Sequence, residues 1–263
     1  MPRTQARNED RTIPSALVTG GARRIGAAIV ENLTANGFAV AIHCNTSRRE
    51  ADSLAEWLRG GGATVAVVQA DLANRQETEG LIEAAGDVLG RPIQLLVNNA
   101  GLFEPDTLSD FSWDIWDRHF RVHLDAAVML TRKFAGALPQ GTEGLVVNVI
   151  DQRVWKPTPR YFSYTLSKAA LWAATTTMAQ ALAPRIRVNA IGPGPTFKND
   201  RQTDAQFAEV IRAIPLQRGP ELSEFGATIR YLWQARSVTG QMIAIDGGQH
   251  LAWQTPDATG PGE

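Results

Sequence analysis

Tyr164 and Lys168 stand four residues apart in the run Tyr164-Thr165-Leu166-Ser167-Lys168, at the head of an apolar stretch with helical spacing. Four residues is slightly more than one helical turn, so the two side chains share a face. An ammonium beside a phenol favours the phenolate and lowers the tyrosine pKa. A tyrosine primed in this way can give or take a proton at a carbonyl, an alcohol or an imine. Bringing a phenol from about 10 to near 7 needs roughly 4 kcal/mol of preference for phenolate. One exposed ammonium does not supply that; the positive ring of an oxidised nicotinamide and a partly buried pocket can add to it. Asp151 lies thirteen residues earlier, just past the apolar run Gly144–Ile150. An ionised carboxylate next to such a tyrosine raises the phenol pKa and opposes the lysine. A carboxylate accepts hydrogen bonds and donates none, so it suits a substrate with N–H groups better than a simple ketone.

A second cluster lies near the N-terminus, in Thr19-Gly20-Gly21-Ala22-Arg23-Arg24-Ile25-Gly26, between an apolar run and a helical pattern. Glycines in such a turn let backbone approach a pyrophosphate, and the helix start offers free N–H groups. The second apolar run ends in His43-Cys44-Asn45-Thr46-Ser47-Arg48-Arg49, with no acid to bind ribose hydroxyls. Arg23, Arg24, Ser47 and Arg48 instead offer charge-assisted bonds to a 2′-phosphate. That favours NADP(H), with Asn45 in the same turn. Asp71-Leu72 follows the third run, where a carboxylate can meet an adenine amine. Asn98-Asn99-Ala100-Gly101 follows the fourth, where amides and a glycine can line the cofactor. Pro193-Gly194 follows the sixth, and Thr196 just beyond can bond the nicotinamide carboxamide. The four histidines, His43, His119, His123 and His250, show no metal-ligand spacing with Cys44, so no metal is expected.

These residues must be placed by alternating strands and helices. Strands are predicted over Ala16–Thr19, Phe38–His43, Thr64–Gln69, Ile93–Val97, Gly144–Ile150, Arg187–Ile191 and Met242–Ile245. Helices are predicted over Ile25–Asn36, Arg48–Arg59, Gln76–Leu89, Trp113–Leu138, Tyr161–Leu182 and Leu222–Gln234. Short continuous apolar strands between helices mean a parallel sheet covered on both faces. The expectation is an α/β fold in one domain, residues 14–250: a Rossmann-type doubly wound sheet of seven parallel strands. Residues 193–220 are too long for a plain connection and read as a substrate loop with a short helix near Asp204–Arg212. Residues 1–13 and 254–263 read as flexible tails.

The 263 residues carry a net charge of −1, which gives no basic footprint for nucleic acid. No apolar run approaches the ~20 residues that span a membrane, and residues 1–11 lack the apolar stretch of a secretory signal. The single cysteine fits a reducing cytoplasm.

Taken together, the residues resemble the short-chain dehydrogenase/reductase family, from about Ser15 to Gly248. The matching pieces are Thr19-Gly20 to Gly26, Asp71, Asn98-Asn99-Ala100-Gly101, Tyr164 to Lys168, Arg187-Val188-Asn189, Pro193-Gly194, and Thr239-Gly240 to Asp246-Gly247-Gly248. Three departures look like the pteridine reductase branch. Arg24 stands where many members have glycine, Asp151 where the usual catalytic serine stands, and Phe103 close behind the Asn-Asn-Ala-Gly turn. The resemblance implies that Arg24 approaches cofactor phosphate and pterin, that Phe103 stacks the pterin against nicotinamide, and that Asp151 works with Tyr164 on protons. It implies that Lys168 also holds the nicotinamide ribose. Two features depart from that branch. Gly101 replaces a serine found in some pteridine reductases. His123 replaces an asparagine that kinks a helix and exposes a carbonyl, and an imidazole there either preserves the kink or reroutes the proton path. The function implied is NADPH-dependent hydride transfer to C=N or C=O, with a homotetramer built on the long helices. Two alternatives stay open: a carbonyl or sugar-alcohol oxidoreductase, and a regulator that binds NADP(H) without turnover.

Overall fold

The computed structural model describes residues 13–198 and 201–253. The segments expected as tails lie outside the described residues, apart from Ile13 and its exposed side chain. Seven strands form one sheet: β1 (Ser15–Val18), β2 (Ala39–Cys44), β3 (Val65–Gln69), β4 (Leu95–Asn98), β5 (Gly144–Val149), β6 (Ile186–Pro193) and β7 (Met242–Ile245). Their order is β3-β2-β1-β4-β5-β6-β7, and every pairing is parallel. The expected seven-stranded doubly wound α/β sheet is present, and each strand overlaps its predicted range.

Alternation along the strands divides the core. Ala16 and Val18 of β1 face helices α1 (Arg24–Ala35), α2 (Arg48–Gly60) and α8 (Leu222–Gln234). Leu17 faces α3 (Arg75–Leu89), α5 (Ala126–Ala137) and α6 (Phe162–Leu182). β1, β2, β4 and β5 are buried along their whole length, which is why they read as unbroken apolar runs. The order reverses between β1 and β4, so a crevice opens at their carboxyl ends, where open parallel sheets bind ligands.

Local chemistry sets the helix ends. Asn74 caps α3 through its side chain, and Gly90 ends it in the left-handed conformation. A Thr203–Gln206 capping box starts α7 (Asp204–Ala213), close to the helix expected inside the substrate loop. One expectation needs correction. The predicted helix Trp113–Leu138 is three pieces: α4 (Trp113–Phe120), a π-helical turn over Arg121–Asp125, and α5. The apolar periodicity runs across the join, so it does not reveal the extra residue in the turn. His123 sits inside that π turn.

Candidate active site

Tyr164 and Lys168 lie in the first turns of α6 and are almost fully buried. The helix has no side-chain cap of its own at Tyr161. Its start is instead held by Asp106, whose carboxylate accepts from the Ser163 N–H at 3.2 Å and whose carbonyl accepts from the Phe162 N–H. A carboxylate at a helix N-terminus satisfies orphan donors and meets the positive end of the dipole. Asp106 is 57 positions away in sequence, so spacing does not expose it.

The Tyr164 hydroxyl donates to Asp151 Oδ2 at 2.8 Å. Asp151 Oδ1 accepts from the Arg153 N–H at 2.8 Å, which caps the short 3₁₀ turn Gln152–Val154. Burial holds the Tyr164 pKa well above the usual phenol value, and the Asp151 charge and hydrogen bond raise it further. Burial also raises the Asp151 pKa, against the Arg153 N–H and guanidinium, which lower it. Lys168 Nζ donates to the Val149 carbonyl at 2.8 Å and lies 5.9 Å from the Tyr164 ring centroid. Burial brings its pKa down to about 8, with Asp151 acting in the opposite sense. The expectation that Lys168 draws the phenol toward neutrality is therefore not met. Burial and the neighbouring carboxylate outweigh the Arg153 guanidinium, the cation that lowers it, and the tyrosine keeps its proton in the neutral range.

The glycine turn has the shape a dinucleotide needs. Gly20 adopts φ 61°, and a Cβ there would sit 3.0 Å from Ala100 Cα. A Cβ on Gly26 would lie 2.2 Å from the Gly20 carbonyl oxygen, so only glycine fits. Thr19 Oγ1 accepts from the N–H groups of Asn99 and Ala100, and the Asn99 amide donates to the Thr19 carbonyl at 2.8 Å. These bonds join the ends of β1 and β4. His43 completes the turn. Its Nδ1 accepts from the Gly20 N–H at 3.1 Å, and its Nε2 bonds the Ala70 carbonyl. Sequence reading considered His43 only as a metal ligand. Its position at the end of β2 beside the glycine turn was the signal available.

The predicted phosphate residues are close together but engaged. Arg24 opens α1 with φ 52°, a left-handed conformation that favours glycine, and its guanidinium lies 5.5 Å from the Phe197 ring centroid. Arg23 meets Glu50 at 3.5 Å, and Arg48 pairs with Asp52 at 2.8 Å. Ser47 sits at the start of α2. Asn45 donates to Asp71, whose Oδ1 also accepts from the Ala73 N–H. Ile25 and Leu72 pack their side chains into the core, so they offer a cofactor backbone rather than side chain. Gly194 is pressed against Asp246, where a Cβ would lie 2.5 Å from its Cα, next to Pro193 at the end of β6. Thr196 donates to the Gly194 carbonyl. Among the described residues, no group of three or more His, Cys, Asp or Glu side chains is placed to hold a metal.

Phe103 is neither plain core nor an open platform. Its ring stacks on Tyr161, with centroids 4.1 Å apart, and stands edge-on to Tyr164 at 4.8 Å. Arg153 lies beside both stacked rings. Tyr161 and Arg153 escaped the sequence reading, although both lie in the segment between Asp151 and Tyr164. His123, for which two alternatives stood open, sits inside the π turn. Its Nε2 accepts from the Leu102 N–H at 2.9 Å and its Nδ1 bonds Ser167 Oγ, while burial holds its pKa well below the usual histidine value. Both ring nitrogens are committed and the ring is neutral, so it does not carry protons by titrating near neutral pH.

The short chain dehydrogenase family model matches residues 14–206. A 3-oxoacyl-[acyl-carrier-protein] reductase of Synechocystis is 32% identical over 242 residues, covering 90% of this chain and 97% of that protein. A crystal structure of FolM alternative dihydrofolate reductase 1 from Brucella suis, in complex with NADP, is 57% identical with a TM-score of 0.90. It covers 93% of this chain and 98% of the other. Its counterpart from Brucella canis, also complexed with NADP, is 56% identical with a TM-score of 0.91, covering 95% and 99%.

Proposed function

The chain belongs to the short-chain dehydrogenase family, and on that footing we propose that it is an NADPH-dependent reductase of a C=N or C=O bond in a pteridine-like compound. The observation that carries this reading is the Tyr164–Asp151 pair, a protonated phenol held 2.8 Å from a carboxylate. An acceptor-only carboxylate matches the ring N–H groups of a pteridine, and a simple ketone offers it nothing. The FolM reductases from Brucella, so similar over nearly the whole chain, favour the same substrate class.

Bound NADPH supplies the hydride. Arg23, Ser47 and Arg48 hold its 2′-phosphate, and Asn45, Asp71 and the Leu72 backbone meet the adenine. The Gly20 turn and the first N–H groups of α1 meet the pyrophosphate, joined by Arg24, whose guanidinium turns toward Phe197 in the substrate loop. Asn99, Ala100, Gly101, Pro193, Gly194 and Thr196 line the nicotinamide side. Phe103 takes one face of the substrate ring, with Arg24 at its edge. Tyr164 donates its proton to the reduced atom, and Asp151 accepts a substrate N–H and fixes the ring's orientation. Lys168, an ammonium below about pH 8, stabilises the phenolate left behind and holds the nicotinamide ribose. Cytoplasmic homotetramers belong to the same reading; exposed Trp113 on α4 and Leu166 on α6 support pairing of those helices. Light scattering on the purified protein tests the assembly.

The deciding experiment follows NADPH oxidation against dihydropterins and a panel of ketones and polyols. Turnover confined to ketones or polyols would replace the pteridine reading. Tyr164→Phe should leave NADPH binding nearly intact and cut turnover by ~10²–10⁴. Unchanged turnover would remove Tyr164 from the chemistry.

A further inference from the structure

Building on the reading of Tyr164 as proton donor, we propose that His119 and His123 are positioning residues, two neutral imidazoles that lock Phe103 in place against Tyr164. Both rings are fully buried and stack on each other, with centroids 5.4 Å apart and planes 17° apart. The Leu102 N–H donates to His123 Nε2 at 2.9 Å, and the Glu104 N–H donates to His119 Nε2 at 3.3 Å. These donors come from the backbone on either side of Phe103. A backbone N–H cannot act as an acceptor, so each Nε2 is bare and each neutral ring carries its proton on Nδ1.

The Nδ1–H groups then have defined destinations. His123 donates to Ser167 Oγ at 2.8 Å, and Ser167 donates to the Tyr164 carbonyl at 2.8 Å. His119 donates to Ser163 Oγ at 2.7 Å, and Ser163 donates to Asp106. Two parallel rungs therefore run from the backbone flanking Phe103 to serines on the helix turns around Tyr164. The Tyr164 ring stands edge-on to both imidazoles, at 5.4 Å and 5.9 Å. Spacing between the stacking ring and the proton donor is thus set by the two histidines. A misplacement of 1 Å at such a site can cost about 10² in rate.

The same geometry joins two departures from the pteridine reductase pattern. A Cβ on Gly101 would lie 3.3 Å from His123 Nε2, closer than most side chains tolerate. A serine there would press on the nitrogen that holds Leu102, so the glycine and the histidine fit each other.

Two substitutions at each histidine separate the rungs. Asparagine puts an amide nitrogen near the Nδ1 position, keeping the serine bond and losing the backbone one. Glutamine puts an amide oxygen near the Nε2 position, keeping the backbone bond and losing the serine one. His123→Asn and His119→Asn should raise KM and lower kcat, each by about tenfold, with NADPH affinity within twofold of wild type. The glutamine variants should recover most of the loss. Asparagine variants with wild-type kinetics, or glutamine variants equally impaired, would overturn the proposal. The kinetics are read on whichever substrate the wild type reduces, so failure of the pteridine reading leaves them intact. Amide hydrogen exchange needs no substrate: Leu102 and Glu104 should exchange at least tenfold faster in the asparagine variants only. Exchange as slow as in wild type would sink the proposal independently.

Discussion

The Tyr164 hydroxyl donates to Asp151 across 2.8 Å, and the lysine four residues along the helix is tied instead to the Val149 carbonyl. The pair sets the protonation pattern of the site: a phenol that keeps its proton, and a carboxyl group whose pKa burial pushes up. A proton donor and a hydrogen-bond acceptor thus stand side by side.

Asp151 should therefore be visible in the pH dependence of turnover. Its folded pKa is raised above the ordinary 3.8, so the accepting carboxylate is lost at a higher pH than in a free aspartate. Activity toward an N–H substrate should fall on the acid side with a midpoint above 3.8. Asp151→Asn should remove that limb, and Asp151→Ser should shift preference toward small ketones. An acid limb that persists unchanged in Asp151→Asn assigns the titration elsewhere.

Arg24 stands at φ 52° where glycine would be relaxed, so its retention points to a use for the side chain. Arg24→Gly relieves roughly 1–2 kcal/mol of left-handed strain. It forfeits a cation–π contact of about 0.5–1 kcal/mol and adds chain entropy of similar size. The melting temperature should thus move little. Affinity for NADPH and for NADH should drop together by about 10–100-fold, the value of a charge-assisted bond to the pyrophosphate they share. Calorimetry with both cofactors reads the losses, and unchanged affinity for the two would take Arg24 off the phosphate.

Much of this was legible in the sequence, for physical reasons that also set the limit. Continuous apolar strands and intervening amphipathic helices announce a covered parallel sheet, and Gly20 and Gly26 announce a turn where a Cβ has no room. Tyr164 and Lys168 were found because their spacing is short and their chemistry distinctive, and Asp151 because it stands where the resembled family has its serine. Asp106, His43 and His119 act across long sequence separations through bonds that no local pattern encodes. The one available hint was a repeated interval: His119 and His123 are four apart, as are Ser163 and Ser167 on the helix they face. The sign of the Tyr164 shift was misjudged because burial depends on packing, and packing is what spacing omits.

Tyr161 covers one face of Phe103, the ring proposed as the platform for a flat substrate. The rings are 4.1 Å apart, and a ring placed between them needs about 3.5 Å on each side. For a substrate to take that face Tyr161 has to give way, and its φ of 57° makes leaving easier. Tyr161→Gly should relax the backbone and bare Phe103, lowering KM for a dihydropterin several-fold. Steady-state kinetics on the variant provide the check. A higher KM would show that Tyr161 belongs to the substrate wall.

His43 makes the cofactor end sensitive to acid. Burial lowers its pKa from 6.5 to about 4, and its bare Nδ1 accepts the Gly20 N–H. Between those two pH values the unfolded chain binds more protons than the folded one. Stability is therefore fully present above 6.5 and is lost as the pH falls through 4. The shift corresponds to about 3 kcal/mol. Protonation would also turn an N–H toward the Gly20 N–H and open the glycine turn. His43→Asn keeps an acceptor near Gly20 and cannot titrate, so it should be less stable than wild type at pH 7 yet lose less on acidification. Urea unfolding of both proteins at pH 7 and pH 4 measures the difference. Equal acid losses in the two would mean that His43 does not control this end of the site.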